Sequence, residues 1–590
     1  MFGRIVTFAF VALLSGCSVS PSAFTTSNMW ESHHEAYRES RQRQVNSSEI
    51  LTLEMAMARA LKNNKERRVA LMESSLAIAG KTTASLDMLP SLTVNAGYSN
   101  RDRLALSSSG TFEDGVFSPV DPPAYSGAAN KEGTSGSATF SWNVLDFGLS
   151  YVRANQAADS SLIAQERERK AIQNLIADVR VAYWKASSAQ KLKNTVQPLL
   201  ARVEGAIQSS RQMGADGSQA PLEALDYQKE LLELRSSLES LYRDLIAAEY
   251  DLKRLIAVSP AEDILLETLV SSGNYEVPSF KVPVDALEKV ALVKRPELVE
   301  LQYQKRISHQ QSRAALLGLL PSFNLTYAYN YDDNPFLLYE EWNSWGATVS
   351  ANLFNVFKAP SRLNQADLGK QLVDARTEAT LAAVMAQVHI AYATFNQSVR
   401  QFEAATQFAD VTERISDQSS ALRETASGSE MQVIRDEFES LIAEFRKDVA
   451  YADLQNSYGR IFSSVGVDAI VDGPIDNSLE AIADSINRGQ QAWTDQSIFG
   501  VVLSPIDEHV PDWTGPGAHY FKIDATNYTT SQWVQVELNK SNGSSRPDWL
   551  NFEPDSLVIS GNPAVGAEGD LELTLKLVSK EGIVINDNFW

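Results

Sequence analysis

"LPSLTVNAGYS", residues Leu89–Ser99, and "LPSFNLTYAYN", residues Leu320–Asn330, are two readings of one pattern, 231 positions apart. In the longer form "SFNLTYAYNY", Phe323, Leu325, Tyr327, Tyr329 and Tyr331 alternate with Asn324, Thr326, Ala328 and Asn330. Period two with one aromatic face predicts a strand. Pro90 and Pro321 stand just before each strand, where proline ends a preceding helix. Upstream, "ALKNNKER" (Ala60–Arg67) aligns with "ALVKRPEL" (Ala291–Leu298) at the same offset. The chain therefore contains an internal duplication, which has to be read before anything else.

Downstream the offset changes. "NQA" at Asn155–Ala157 recurs at Asn364–Ala366, and Ala182-Tyr183 recurs at Ala391-Tyr392, both 209 positions on. The 22-residue difference falls between Pro90 and Asn155, in a Gly-, Pro- and Ser-rich stretch that reads as a loop. Each copy predicts one helix of about 35 residues before the proline, then a strand, a connection and a second strand. The second strands are "SATFSWNV", with Ala138, Phe140, Trp142 and Val144 on one face, and "WGATVSANLF", with Trp345, Ala347, Val349, Ala351 and Leu353.

The period then becomes helical. Ile172, Leu175, Ile176, Val179 and Ala182 follow three-and-four spacing. Helices are predicted over about Ser150–Met213 and Leu222–Ala257, joined by "GADGSQAP". The second copy predicts them over about Ser361–Arg423 and Met431–Ser464, joined by "ETASGSE". About 60 helical residues span roughly 90 Å, so these helices must pack along their length as coiled coils do. Two amphipathic strands per copy make four in the chain. Four strands cannot close a membrane barrel, which needs at least about eight and admits no open edge in lipid.

The N-terminus has a different logic. Arg4 precedes a short apolar run, Ile5–Leu14, the layout of a secretory signal. Leu14-Ser15-Gly16-Cys17 resembles the lipobox of bacterial lipoproteins, and Cys17 is the single cysteine in 590 residues. That resemblance implies cleavage before Cys17 and its acylation, and the non-acidic Ser18 implies the outer membrane. A multiply acylated cysteine anchors stably.

The duplicated motifs "LTLEMAMARALKNNKER…LPSLTVNAGYS" and "SWNVLDFG…NQA", with "RPEL…LLPS" in the second copy, resemble the TolC-type outer-membrane efflux protein family. The resemblance covers about residues 50–468. It implies a mainly α fold with β. Duplicated helix-strand-strand-helix-helix units would form a trimeric 12-stranded outer-membrane β-barrel and a long periplasmic α-helical barrel. It also implies a homotrimer that meets a periplasmic membrane-fusion adaptor and an inner-membrane pump or ABC exporter. The hairpin tips of that family contact the adaptor, which points to Gly217, Ser218, Gly428 and Ser429. This chain departs from the pattern in Pro221 after the first tip and Glu430 after the second. Acidic rings near the mouth point to Asp226, Glu430, Asp436 and Glu437, although carboxylates on helices usually form a solvated face.

Beyond Asp468, Leu479, Ile482 and Ile486 predict a short helix, and from about Ile498 short alternating runs predict some seven strands in a β-sandwich. "RPDWLNFEPDSLVISGNPAVGAEGDLELTLKLVSKEG" resembles the cadherin-like, dystroglycan-type immunoglobulin module. That implies Trp549, Leu550 and Phe552 in its core and Ser560-Gly561-Asn562-Pro563 as a turn. Asp548 and Asp555 read as solvated turn carboxylates before they read as calcium ligands.

The expected organisation is a lipoprotein signal peptide (1–16), a lipidated N-terminal segment (17–49), efflux-protein repeats 1 (50–270) and 2 (271–468), a linker with a short helix (469–497) and a cadherin-like β-sandwich (498–590). Net charge is −22, from 52 basic and 74 acidic residues, which disfavours nucleic acid. The histidines His33, His34, His309, His389, His509 and His519 have no metal-site spacing. With no catalytic constellation, no metal and no cofactor other than covalent lipid on Cys17, the chain reads as a non-enzyme. The leading expectation is the outer-membrane channel component of a tripartite efflux system, with tunnel and C-terminal module in the periplasm. The alternatives are the conduit of a type I protein secretion system, or a periplasmic structural or adhesion lipoprotein without a pore.

Overall fold

The computed structural model describes residues 23–42, 50–104, 106–108, 110–122, 125–215, 221–267, 275–424, 430–469, 478–494, 499–500, 518–529, 533–542, 544–563, 571–579 and 583–589. The signal, Cys17 and both hairpin tips lie outside this set. Among the described residues, no helix is long and apolar enough to cross a membrane.

An exposed helix α1 (Thr26–Gln42) comes first, then the short strand β1 (Ile50–Leu51). The predicted 35-residue helix is in fact two: α2 (Leu53–Asn63) and α3 (Lys65–Leu86). The same holds in the second copy, with α6 (Val284–Lys294) and α7 (Pro296–Leu317). Asn64 and Arg295 are extended at these breaks, with φ/ψ of −62°/133° and −66°/121°. After α3 come β2 (Ser91–Asn100), β3 (Leu106–Ser108), β4 (Gly110–Glu113), β5 (Val116–Pro119), β6 (Tyr125–Gly127) and β7 (Glu132–Asn143). The connection read as a loop thus carries two short antiparallel ladders, β3–β6 and β4–β5. Asp114 and Gly115, at φ 54° and 80°, turn the inner one as a two-residue loop with both residues left-handed.

α4 (Val144–Ala215) and α5 (Pro221–Leu255) form the first helical hairpin. After β8 (Leu265–Leu266), α6 and α7, the second copy adds β9 (Ser322–Asp332), β10 (Glu341–Ser350), α8 (Phe354–Glu424) and α9 (Glu430–Ser464). α4 and α8 have 72 and 71 residues, roughly 105–110 Å by rise per residue. They begin earlier than the periodicity suggested, because the strand runs straight into the helix. Asn143 Oδ1 accepts from the backbone N–H of Leu145 and Asp146 (3.0 and 3.1 Å), and Asn352 Oδ1 from that of Phe354 (3.0 Å). Side-chain capping by Asn starts both helices, so Val144, Ala351 and Leu353 fall outside the strands.

Within the hairpins, Leu192, Val196, Leu199, Val203 and Ile207 of α4 are buried against Leu231, Leu238 and Leu245 of α5 and Ile434 and Leu441 of α9. Spacings of three, four and seven are those of a coiled-coil seam. A second cluster gathers α2, α6, the middle of α4 and of α8, and the ends of α5 and α9.

The C-terminal extension joins that second cluster. In α10 (Leu479–Thr494), Ile482 and Ile486 are buried, and Trp493 stacks on Phe462 of α9 at 4.2 Å and 7°. Phe499 lies 5.6 Å from Phe280. Six described strands follow: β11 (His519–Lys522), β12 (Trp533–Lys540), β13 (Leu550–Glu553), β14 (Val558–Gly561), β15 (Leu573–Ser579) and β16 (Val584–Phe589). They form two antiparallel sheets, β11–β14–β13 and β12–β15–β16. Leu550 and Phe552 are buried, and Trp549 packs against them from a half-buried position. Ser560 and Gly561 are not a turn but the end of β14, paired with Tyr520 and His519.

Candidate functional site

The four long strands make one sheet in the order β10–β9–β7–β2, every pair antiparallel. Its register sorts the side chains. Leu92 faces Phe140, Phe140 faces Tyr327 and Tyr327 faces Trp345, one apolar row across all four strands. All four are exposed, Trp345 by 83 %. The opposite face carries the row Asn95–Ser137–Asn330, which ends on Trp342 of β10, with Ser344 two residues along β10 on the same face. Here Asn95 Nδ2 donates to Ser137 Oγ (3.4 Å) and Asn330 Nδ2 to Ser344 Oγ (3.1 Å). Ser141 Oγ donates to Asn324 Oδ1 at 3.1 Å. The duplicated strands meet at the centre, β7 beside β9, where Thr134 N donates to Asp333 Oδ1 at 2.7 Å. β2 and β10 are left as edges with unsatisfied backbone groups.

One face is thus apolar, the other polar, and both edges are open. Such a sheet can sit in a bilayer only where the edges are closed, because lipid offers backbone groups no partner. β7 and β10, each antiparallel to β9, run in the same direction and lead from the same end of the sheet into α4 and α8, the first helices of the two long hairpins.

Toward the far ends of the hairpins, the acidic candidates separate. Asp226 is exposed on α5. Asp436 on α9 is 5 % exposed and accepts from Gln432 Nε2 at 2.8 Å. Glu437 is half-buried and paired with Arg202 of α4. Glu430 is the first residue of α9. The hairpins are also tied by Arg435 of α9 to Glu230 of α5 at 2.6 Å. Gly217, Ser218, Gly428 and Ser429 lie outside the described residues. His389 pairs with Glu288 at 2.7 Å, and no cluster of three or more potential metal ligands occurs among the described residues.

The sequence reading passed over the helix breaks. Asn64 Nδ2 donates to Leu255 O at 3.0 Å, and Arg295 NH1 donates to Ser463 O and Ser464 O at 2.9 and 3.2 Å. Both side chains hold the C-terminus of the returning hairpin helix. The signal was present, since the 231-residue offset places Asn64 on Arg295 and Pro296 marks a helix start.

Solved structures share this fold. The Neisseria gonorrhoeae MtrE outer membrane channel in its open state matches at a TM-score of 0.55 and 17 % identity, over 70 % of this chain and 89 % of that one. The Campylobacter jejuni CmeC outer membrane channel matches at 0.54 and 14 %, over 70 % and 85 %. VceC, an outer membrane protein of Vibrio cholerae, matches at 0.51 and 13 %, over 70 % and 96 %. No curated protein sequence matches significantly. An amphipathic open sheet on two long helical hairpins is the fold this chain shares with those outer membrane proteins. The sequence profile described as Outer membrane efflux protein matches residues 56–258 and 287–453, more than half of the chain, and the chain belongs to that family. It is a channel protein and not an enzyme.

Proposed function

We propose that this chain is the outer-membrane conduit of a tripartite efflux system, passive itself and coupled to a periplasmic adaptor and an inner-membrane pump. The observation that carries this reading is the four-stranded sheet with one apolar face, one polar face and two open edges. Three copies, β10 of one pairing with β2 of the next, close a 12-stranded barrel with its apolar face to lipid and its Asn/Ser/Thr face to water. The hairpins then form the periplasmic tunnel. Exposed apolar residues along α8 (Leu368, Leu372, Ile390, Phe408, Val411 and Ile415) support association between copies.

In this reading Cys17 carries the lipid, and residues 17–49 lead from the anchor into repeat 1 (50–270) and repeat 2 (271–468). The segment 469–497 links them to a dystroglycan-type sandwich (498–590) in the periplasm, where Asp548 and Asp555 are exposed. Gly217, Ser218, Gly428 and Ser429 meet the adaptor. Among the acidic candidates, Asp226 is the exposed carboxylate best placed to favour cations, since Asp436 is buried and Glu437 is already paired.

Single-channel recording in planar bilayers tests the reading directly. The full-length protein extracted in mild detergent is expected to run as a trimer and to conduct, with a cation preference reduced in Asp226→Asn. A protein that stays monomeric and never conducts overturns the conduit. Intact mass of the mature protein checks the anchor, and an unmodified Cys17 overturns that part alone.

A further inference from the structure

Arg180 of α4 is 6 % exposed; Glu54 of α2 acts on it through space, yet no carboxylate lies within ion-pairing distance of it among the described residues. Its NH2 donates to Gln455 O at 3.2 Å, and its Cζ lies 5.5 Å from the centroid of the Trp493 ring. Its Nε has no acceptor among the described residues. Burial lowers its pKa to about 10, which still leaves it charged at neutral pH. A buried charge without a counter-charge is among the costliest things a fold can hold.

Two further buried polar atoms stand unpartnered beside it: Trp493 Nε1 and Asn456 Oδ1. All three side chains line one cavity of about 50 Å³. That is room for one small ion with a water or two by the volume a single water needs, and too little for an organic acid. Gly459, inside α9, also lines it. A Cβ there would come within 2.9 Å of Arg180 Nε, so the helix forgoes a better helix former to make room. At the rim, exposed Asp178 and Arg460 offset one another and leave the guanidinium in excess. In the second copy the position 209 residues on is His389, which is exposed and has its carboxylate partner in Glu288. The residue with no carboxylate in ion-pairing distance among the described residues is the one covered by α10.

We propose that this cavity binds a small monovalent inorganic anion of the chloride class. Arg180, the Trp493 indole N–H and the Asn456 carboxamide hold it, the amide turned so that its nitrogen faces inward. Water would satisfy the donors but not the charge. The anion joins α4, α9 and α10, and so fastens the C-terminal extension to both repeats. This site is independent of the transport reading.

The test is thermal unfolding of the full-length detergent-extracted protein in sodium chloride against sodium gluconate at equal ionic strength. Chloride is expected to raise the wild-type midpoint by about 2–4 °C, as a ligand bound only by the folded state does. Arg180→Met and Trp493→Phe are expected to lose that response. Crystals soaked in bromide are expected to show an anomalous peak between Arg180 and Trp493. A wild type equally stable in both salts overturns the proposal, as does a bromide map with no peak in the cavity. If Arg180→Met does not fold, Trp493→Phe decides, because it keeps a ring on Phe462 and removes only the donor. An unchanged chloride response in that variant also overturns the site.

Discussion

In the first repeat Asn64 joins α2 to α3; in the second, Arg295 joins α6 to α7. Asn64 works in two directions. Its Oδ1 accepts from Arg67 N at 3.0 Å, capping α3, while its Nδ2 reaches the last carbonyl of α5. Arginine has no acceptor and cannot cap. The second copy starts α7 with Pro296 instead, which lacks an N–H to satisfy. Arg295 is then free to hold two carbonyls of α9 and, through NH2, Gln387 Oε1 at 2.7 Å and Glu297 Oε1 at 3.1 Å.

The returning helices show the same divergence. Both end in a Schellman turn, with Val258 N donating to Lys253 O (2.9 Å) and Val467 N to Phe462 O (3.0 Å). The left-handed residue is Ala257 at φ 55° in one copy and Gly466 at φ 75° in the other. The backbone demand is common to both repeats: an extended break packed on a left-handed helix end. The side chains that meet it are not. Duplication has preserved the demand and let each copy find its own answer.

If this comparison is right, the second copy depends more on its single residues. Arg295→Ala leaves buried carbonyls of α9 without their donor and Glu297 with Lys170 as its remaining partner, and is expected to cost about 3 kcal/mol. Urea unfolding followed by tryptophan fluorescence measures it, and a loss smaller than that of Asn64→Ala breaks the comparison. Gly466→Ala puts a Cβ 2.5 Å from Lys294 O in left-handed backbone, so about 2 kcal/mol is expected to be lost in the same assay. Asn64→Ala removes a cap and a buried donor, a loss of about 1–2 kcal/mol. Asn64→Asp keeps the cap but buries a carboxylate oxygen against Leu255 O, and is expected to be no more stable than Asn64→Ala. Ala257→Gly is the smallest and has the opposite sign. It relieves an alanine at positive φ and is expected to stabilise by about 0.5 kcal/mol. A destabilised Ala257→Gly would mean that the alanine methyl packs usefully there.

The strands were readable because alternation needs only neighbouring residues: Tyr327 and Tyr329 share a face whatever the sheet does. The long helices were readable from heptad-like spacing such as Leu192, Val196, Leu199 and Val203. The break at Arg295 was marked by Pro296 and, through the 231-residue offset, pointed to Asn64; at Asn64 itself "KNNKER" also suits a solvated helix face, and the reason for interrupting it lies almost 200 residues away at Leu255. Asp114-Gly115 held a hairpin signal that composition obscured. The acidic candidates needed more than position. Whether Asp436 or Asp226 meets water depends on how α9 and α5 are rotated against α4, and the seam residues of both partners set that rotation.

Local chemistry along the chain determined the duplication, the period of each element, the prolines that end the first helices and the apolar and polar faces of every strand. These follow from backbone geometry that repeats every two or 3.6 residues. Only the tertiary structure decided which helix end Asn64 and Arg295 would hold, and that β7 would lie beside β9. It also decided that Trp493, from outside the repeats, would cover an arginine with no carboxylate in ion-pairing distance among the described residues. Those outcomes depend on contacts between residues tens to hundreds of positions apart, where packing and the need to pair buried polar groups choose among arrangements that local sequence leaves equal.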